Sequence, residues 1–261
     1  MNALRIAATG MAAQQTRVDV ISNNIANMST TGYAPRVAEF ADLHYQQRLT
    51  PGAISSATGS VVPAGVQLGM GVRTSTVSIE IVQGGLSPTG GDLDLGIEGR
   101  GYFEIEMPSG ESAYTRDGKF YRNGEGLVVN SEGHPLADNI TIPNDTRRLT
   151  ISQDGEVTAY FDNAADGQTI GTISMTVFAN PKGLEAVGGN LFLETAGSGN
   201  PIVGTPGTEG VGTMRQGYLE DSGVDVVKEI SELIEAQRGY ELNSKVITAA
   251  DEMYSATTRI R

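Results

Sequence analysis

LRIAATGMAAQQTRVDVISNNIANM, residues 4–28, decides how the chain is read. Leu4, Met11, Val18 and Ile25 stand seven apart, and Ala7, Gln14, Ile21 and Met28 sit three after each of them. That is the spacing of a helix that packs along a seam, with a polar lapse at Gln14. Thr30-Thr31-Gly32 offers a glycine stop and Pro35 follows, so the helix is expected to end near Ser29. Its polar side is unusual. Only Arg5, Arg17 and Asp19 are charged, while Gln14, Gln15, Asn23, Asn24 and Asn27 fill the polar positions. Asn is a poor helix former because its side chain competes for backbone hydrogen bonds, and a solvated face would gain more from charge.

The far end has the same character. Val226, Ile230, Leu233, Gln237 and Tyr240 follow a 4-3-4-3 spacing, and the pattern resumes at Val246, Ala250, Met253, Thr257 and Ile260 after a slip near Leu242. One long helix is expected over 223–258, capped by Asp221 and Ser222, with Gly239 inside it costing about 1 kcal/mol against Ala. Charge is uneven: residues 1–79 carry five Arg against three acids, about +2, whereas 80–217 carry about −11 and 218–261 about −4. The ends are mildly complementary.

Between the helices the period changes to two. Tyr102-Phe103-Glu104-Ile105-Glu106-Met107 alternates, and a turn, PSGE, follows. Ser112–Arg116 and Lys119–Arg122 read as strands joined by a hairpin at Asp117-Gly118. Asn123-Gly124-Glu125-Gly126 and Ser131-Glu132-Gly133-His134 read as further turns, and more short strands follow to Glu194. An antiparallel β domain is therefore expected at 80–217. Residues 36–79, rich in Gly, Ser, Thr and Pro from 42 onward, read as an extended or hairpin-like connector. The fold class is α+β, mainly β. The ends 1–35 and 218–261 supply two helices that pair as a coiled coil.

Most catalytic chemistry is excluded or poorly supported. The 261 residues include no Cys, so thiolate metal sites and Cys nucleophiles are impossible. His44 and His134 lie in unrelated segments, with no acid at a ligand spacing. Gly91-Asp92-Leu93-Asp94-Leu95-Gly96 lacks the third ligand and the position-six glycine of a calcium loop. Arg116, Asp117 and Gly118 read as a structural turn. No catalytic residue, cofactor or metal is expected. A net charge of −13 argues against nucleic acid and anionic membrane, and no apolar run approaches the ~18 residues of a membrane span. The weakly apolar start reads as structure rather than as a cleaved leader. Two readings of the end helices stay open: a helical hairpin on its own β domain, or helices that assemble with other copies. Amides carry donor and acceptor together and pair across a repeated interface without like-charge repulsion, which favours assembly.

Three colinear stretches resemble the bacterial flagellar axial (rod and hook) proteins: MNALRIAATGMAAQQTRVDVISNNIANMSTTGY at the start, GGLSPTGGDLDLGIEGRGYFEIEMPSGESAYTRDGKF in the middle, and QGYLEDSGVDVVKEISELIEAQRGYELNSKVITAADEM near the end. Gly65-Val66-Gln67-Leu68-Gly69-Met70-Gly71-Val72 and the chain length resemble the distal rod branch most closely, ahead of proximal rod and hook proteins. A secreted β-rich binding protein is the alternative outside the family. Gly223 stands where the family usually has Asn, and Gly239 where it has Ala, which is expected to loosen the C-terminal helix slightly.

The resemblance implies a non-enzymatic homopolymer. Its partners would be proximal rod proteins, the hook protein, P and L ring proteins and the flagellar type III export apparatus. It would sit in the basal body, in a rod crossing the periplasm to the outer membrane. Leu4, Met11, Val18, Ile21, Asn23, Asn24, Ile25, Asn27 and Met28 would assemble through the first helix. Val226, Ile230, Leu233, Tyr240, Val246, Ile247 and Met253 would do so through the last. Gln46, Pro51, Val66, Leu68, Gly69 and Gly71 would tie subunits through the connector.

Overall fold

The computed structural model describes residues 2–50, 64–162 and 166–259, without the side chains of 49 and 257–259. The chain folds as two compact units. One comprises residues 1–25, 36–78 and 225–261, and the other residues 26–35 and 79–224.

The helical unit contains α1 (Asn2–Ala26), β1 (Arg36–Asp42), β2 (Tyr45–Leu49), β3 (Val66–Gly69), β4 (Val72–Ile79) and α2 (Val226–Arg259). The connector is a ribbon. β1 pairs with β4, and β2 runs antiparallel to β3 with Tyr45 opposite Gly69 and Gln46 opposite Leu68. Both helices are shorter at their inner ends than expected. α1 stops at Ala26 because the chain turns: the Thr30 N–H donates to the Asn27 carbonyl and the Thr30 hydroxyl to Asn27 Oδ1. Asn27 and Met28 therefore lie beyond the helix, and Met28 cannot continue its seam. α2 starts at Val226 because Asp225, not Asp221 or Ser222, is its cap, its Oδ1 accepting from the N–H groups of Val227 and Lys228. α2 then runs unbroken through the expected slip.

The β unit contains β5 (Leu86–Pro88), β6 (Leu95–Glu98), β7 (Phe103–Glu106), β8 (Ser112–Thr115), β9 (Tyr121–Arg122), β10 (Val128–Val129), β11 (Thr146–Ile151), β12 (Glu156–Phe161), β13 (Gln168–Thr172), β14 (Met175–Val177), β15 (Glu185–Gly188), β16 (Leu191–Leu193), β17 (Ile202–Gly204), β18 (Thr213–Gln216) and β19 (Tyr218–Glu220). A four-stranded sheet has the order β15-β16-β8-β7 and a three-stranded sheet β11-β12-β13; β10-β9, β14-β17, β18-β6 and β19-β5 pair as two-stranded ladders. The alternation at 103–106 puts Phe103 and Ile105 wholly inside with Glu104 and Glu106 turned outward. They join Leu95, Ile97, Leu136 and Met175 in one core, and Tyr102, Tyr114, Phe178 and Leu184 form a second cluster through edge-to-face rings. The turns at 123–126 and 130–134 form as their residues dictate. The Asn123 carboxamide oxygen accepts from the Glu125 and Leu127 N–H groups, and that of Asn130 from Glu132 and His134.

The Asp117-Gly118 hairpin does not form. β8 pairs with β7 and β16, whereas β9 pairs with β10. Turn residues mark a change of direction without fixing which strand comes next to the chain. Here Gly118 lies against Leu95: the Leu95 N–H donates to the Gly118 carbonyl at 2.9 Å, and a Cβ on Gly118 would collide with the Leu95 carbonyl.

Candidate assembly interface

Within the helical unit, α1 and α2 pair through their small and polar residues. Asn24 Nδ2 donates to Glu229 Oε1 at 3.1 Å, and Arg17 Nη2 to Glu232 Oε2 at 3.2 Å. Gly239 faces Gln14, and Gly10 faces Asn243. Contacts move up one helix as they move down the other, so the pair is antiparallel. The α1 seam is Ala7, Gly10, Gln14, Arg17, Ile21 and Asn24. The α2 seam is Glu229, Glu232, Ala236, Gly239, Asn243 and, at the same spacing, the buried Ala250. Glycine and alanine let the backbones approach closely. The Gln14 Oε1 is buried there with no hydrogen-bond partner among the described residues.

The expected seam positions divide between the contact within the chain and its flanks. Ala7, Gln14 and Ile21 face α2, but Leu4, Met11, Val18 and Ile25 flank the contact and are half-buried. On α2, Val226, Leu233 and Ile247 are half-buried, whereas Ile230, Tyr240, Val246 and Met253 are exposed. Val227, 76% exposed, stands with Ile230 and Ile234 on the side of α2 turned away from α1. Ile21 apart, the apolar residues inside this helix pair are small and the large ones lie outside it, the reverse of an ordinary two-helix packing.

Asn24 has a different task from the one its amide first suggests. It is 1% exposed, and the group that buries it belongs to its own chain. Besides its bond to Glu229, Nδ2 donates to the Arg36 carbonyl at 2.8 Å, and Oδ1 accepts from the Arg36 N–H at 2.9 Å. One amide thereby joins α1, the start of β1 and α2; a carboxylate could accept but not donate. Asn23, next to it, is exposed.

Besides Asn24, the ribbon is fastened to α1 at a second, tight point. The Thr9 hydroxyl accepts from the Val72 N–H, and Gly71, at φ +115°, leaves no room for a Cβ beside that hydroxyl. The Leu43 N–H donates to the Gly71 carbonyl at 2.8 Å, and Asn2 Nδ2 reaches Gln46 Oε1. Beyond this point Tyr45, Val66 and Leu68 are exposed, and the Tyr45 ring lies beside Gly69. Pro51 lies outside the described residues.

Arg116, read as part of a turn, is a buried cation. Its Nε donates to Glu220 Oε2 at 2.9 Å, Nη1 to the Gly101 carbonyl and Nη2 to the Gly99 carbonyl, both at 3.2 Å. Glu220 also accepts from the Gly84 N–H at 3.1 Å. A cavity of about 340 Å³ opens beside the pair, with Tyr33, Ile81, Val82, Tyr102, Phe178 and Phe192 in its wall. Burial raises the Tyr102 phenol, and burial likewise pushes the Asp117 carboxyl above the usual carboxylate range. Nothing local in the sequence pairs Arg116 with Glu220. Asp94, from the Asp-x-Asp stretch, accepts a hydrogen bond from the Thr89 hydroxyl.

Comparison with known proteins fits this geometry along the whole chain. Family signatures match for the flagella basal body rod protein at residues 4–33, the flagellar hook protein FlgE/F/G D1 domain at 96–159, and the flagellar basal body rod FlgEFG protein C-terminal at 215–260. The chain is 49% identical to the flagellar basal-body rod protein FlgG of Agrobacterium fabrum, covering 99% of each. It is 50% identical to that of Caulobacter vibrioides over the full length of both. A solved Helicobacter pylori flagellar hook protein, FlgE2, aligns over 71% of this chain and 43% of its own at 18% identity, with a TM-score of 0.26 that is too low to bear on the fold. The chain belongs to the flagellar basal-body rod protein family, within its FlgG group.

Proposed function

We propose that this chain is the structural subunit of the distal flagellar rod, polymerising with copies of itself into a stiff tube that passes motor torque to the hook and leaves an export channel along its axis. The observation that carries this reading is the inverted helix pair. A helix whose small face is already used by its own chain and whose Val227, Ile230 and Ile234 face outward is built to be covered by neighbours. Tyr240, Val246 and Met253 on α2 and the half-covered Leu4, Met11, Val18 and Ile25 on α1 extend that surface. The exposed ribbon residues Gln46, Val66 and Leu68 supply a second tie between subunits. Packing every copy along its length resists bending, and this work needs no catalysis. The acidic β unit forms the outer wall, where P and L ring proteins surround it. Proximal rod proteins meet the tube below, the hook meets it above, and the type III export apparatus delivers the subunits. The rod then spans the periplasm to the outer membrane.

The test is deletion of the chain's gene, followed by electron microscopy of purified basal bodies. The expected result is a proximal rod without a hook, restored by the wild-type chain. Complete hooks on the deletion strain would reject the reading.

A further inference from the structure

The β unit is left and re-entered by the chain through three of its segments: residues 26–35, the stretch from 79 onward, and the stretch ending at 224. All three are laced together inside that unit. The Gly32 N–H donates to the Glu220 carbonyl at 2.9 Å, the Glu80 N–H to the Pro35 carbonyl at 2.8 Å, the Gly223 N–H to the Tyr33 carbonyl at 3.0 Å, and the Asp221 N–H to the Gly85 carbonyl at 2.8 Å. The segments approach too closely for side chains. A Cβ on Gly84 would collide with the Asp221 carbonyl oxygen, and one on Gly32 would fall 2.7 Å from the Arg116 carbonyl carbon. Gly223, which the sequence places in the last helix, sits in this lacing instead, and a Cβ there would fall 2.9 Å from the Val82 carbonyl oxygen.

Glu220 is the centre of the arrangement. Its backbone carbonyl holds the first segment at Gly32, its carboxylate holds the second at Gly84, and the residue itself belongs to the third. The carboxylate's other oxygen meets Arg116, whose remaining donors hold the Gly99 and Gly101 carbonyls, next to Tyr102 and Phe103 of the core. Both partners are buried, with side chains 9% and 3% exposed. A buried ion pair is a poor source of net stability, because desolvation consumes most of its attraction, but its geometry is unforgiving and so specifies one arrangement. We propose that the Arg116–Glu220 pair is a mechanical clamp, gathering the three connecting segments and anchoring them to the β core, so that load reaching any one is shared by all. This rests on the rod reading, in which torque has to pass through those connections.

The test is hydrogen exchange on the full-length purified chain, comparing wild type with Glu220→Gln. Glutamine offers one acceptor oxygen where two are used, so either Gly84 or Arg116 loses its partner. The expected result is faster exchange together at Gly32, Glu80, Gly84 and Gly223, by about tenfold or more given the value of a buried hydrogen bond to a charged group. Core amides at Ile97 and Ile105 should keep their rates. If Glu220→Gln does not fold, the double variant Arg116→Met with Glu220→Gln removes the charges together and should show the same pattern. Unchanged exchange at the four connecting amides, or a uniform rise that includes the core, overturns the clamp. In cells, rods of Glu220→Gln should assemble but lose motility in viscous medium at a load the wild type sustains. Normal motility under load also overturns it. Failure of the wild-type chain to restore rods rejects the rod reading instead, since the exchange experiment does not depend on assembly.

Discussion

The two units build their interiors from different residues. In the β unit the core is made of large apolar side chains: Phe103, Ile105 and Met175 are fully buried. Among the described residues of the helical unit the buried positions are Ala7, Ala13, Ile21, Ala236 and Ala250, with Asn24 and Glu229, while Val227, Leu242 and Met253 are exposed. One unit is stabilised by its own chain. The other postpones much of its apolar burial, and a helix pair joined mainly through alanine, glycine and amides gains little from closing on itself. In the proposed rod, the sequence is divided between a part that folds on its own and a part that neighbouring copies cover.

The sharpest way to break the comparison is to attack the core of the β unit. Phe103→Ala removes a fully buried ring packed edge-to-face on Phe120 at 5.1 Å between centroids. It should cost about 3–5 kcal/mol and lower the urea midpoint of the β unit accordingly. A loss below ~1 kcal/mol would mean that this core does not carry the unit's stability.

A smaller loss is expected from Asn24→Asp. It removes the donors to Glu229 and the Arg36 carbonyl and sets a second carboxyl beside the first, at a cost of about 1–3 kcal/mol in the helical unit. The new carboxyl would have a raised pKa. Its destabilisation is therefore present at neutral pH and fades as pH falls and protonation restores a donor. Circular dichroism melts at neutral and mildly acidic pH, with Asn24→Ala as the control that lacks the acid recovery, check both size and sign. An Asn24→Asp variant as stable as wild type would return this amide to a role between copies.

The smallest effect sharpens the comparison by stabilising the weaker unit. A Cβ on Gly239 would stand 3.1 Å from Gln14 Cδ, and that neighbour is a flexible side chain able to move aside. Gly239→Ala should gain up to about 1 kcal/mol of helix stability, read as a higher melting temperature of the helical signal. A destabilised Gly239→Ala would show that the seam is packed more rigidly than its composition implies.

The sequence made the kinds of element legible and left their partners obscure. Alternation at 102–107 and the Asn-led turns near 123 and 130 succeed because each is set by residues within a few positions of one another. The heptad finds Ala7, Gln14 and Ile21, which face α2, but it gives equal weight to Leu4, Met11, Val18 and Ile25, large apolar residues that only flank the contact. Asp117-Gly118 misleads because the residues that suit a hairpin suit any sharp departure from a strand. Arg116 and Glu220 are 104 positions apart, so no local pattern could join them. Ile230, Tyr240, Val246 and Met253 are exposed on the chain itself, and that exposure suits them to the proposed polymer.

In the proposed rod the outer face of α2 is covered by neighbouring copies. Ile230→Asp tests it most directly, with monomer stability and rod assembly measured on the same variant. Ile230 is 46% exposed, so the change should alter the melting of the purified monomer by less than about 0.5 kcal/mol. In the rod it would bury an unpaired carboxylate in every copy. The expected result is a normally folded, exported subunit that builds no distal rod and no hook. An unstable monomer would place Ile230 in the chain's own core, and normal rods from Ile230→Asp would show that this face meets water.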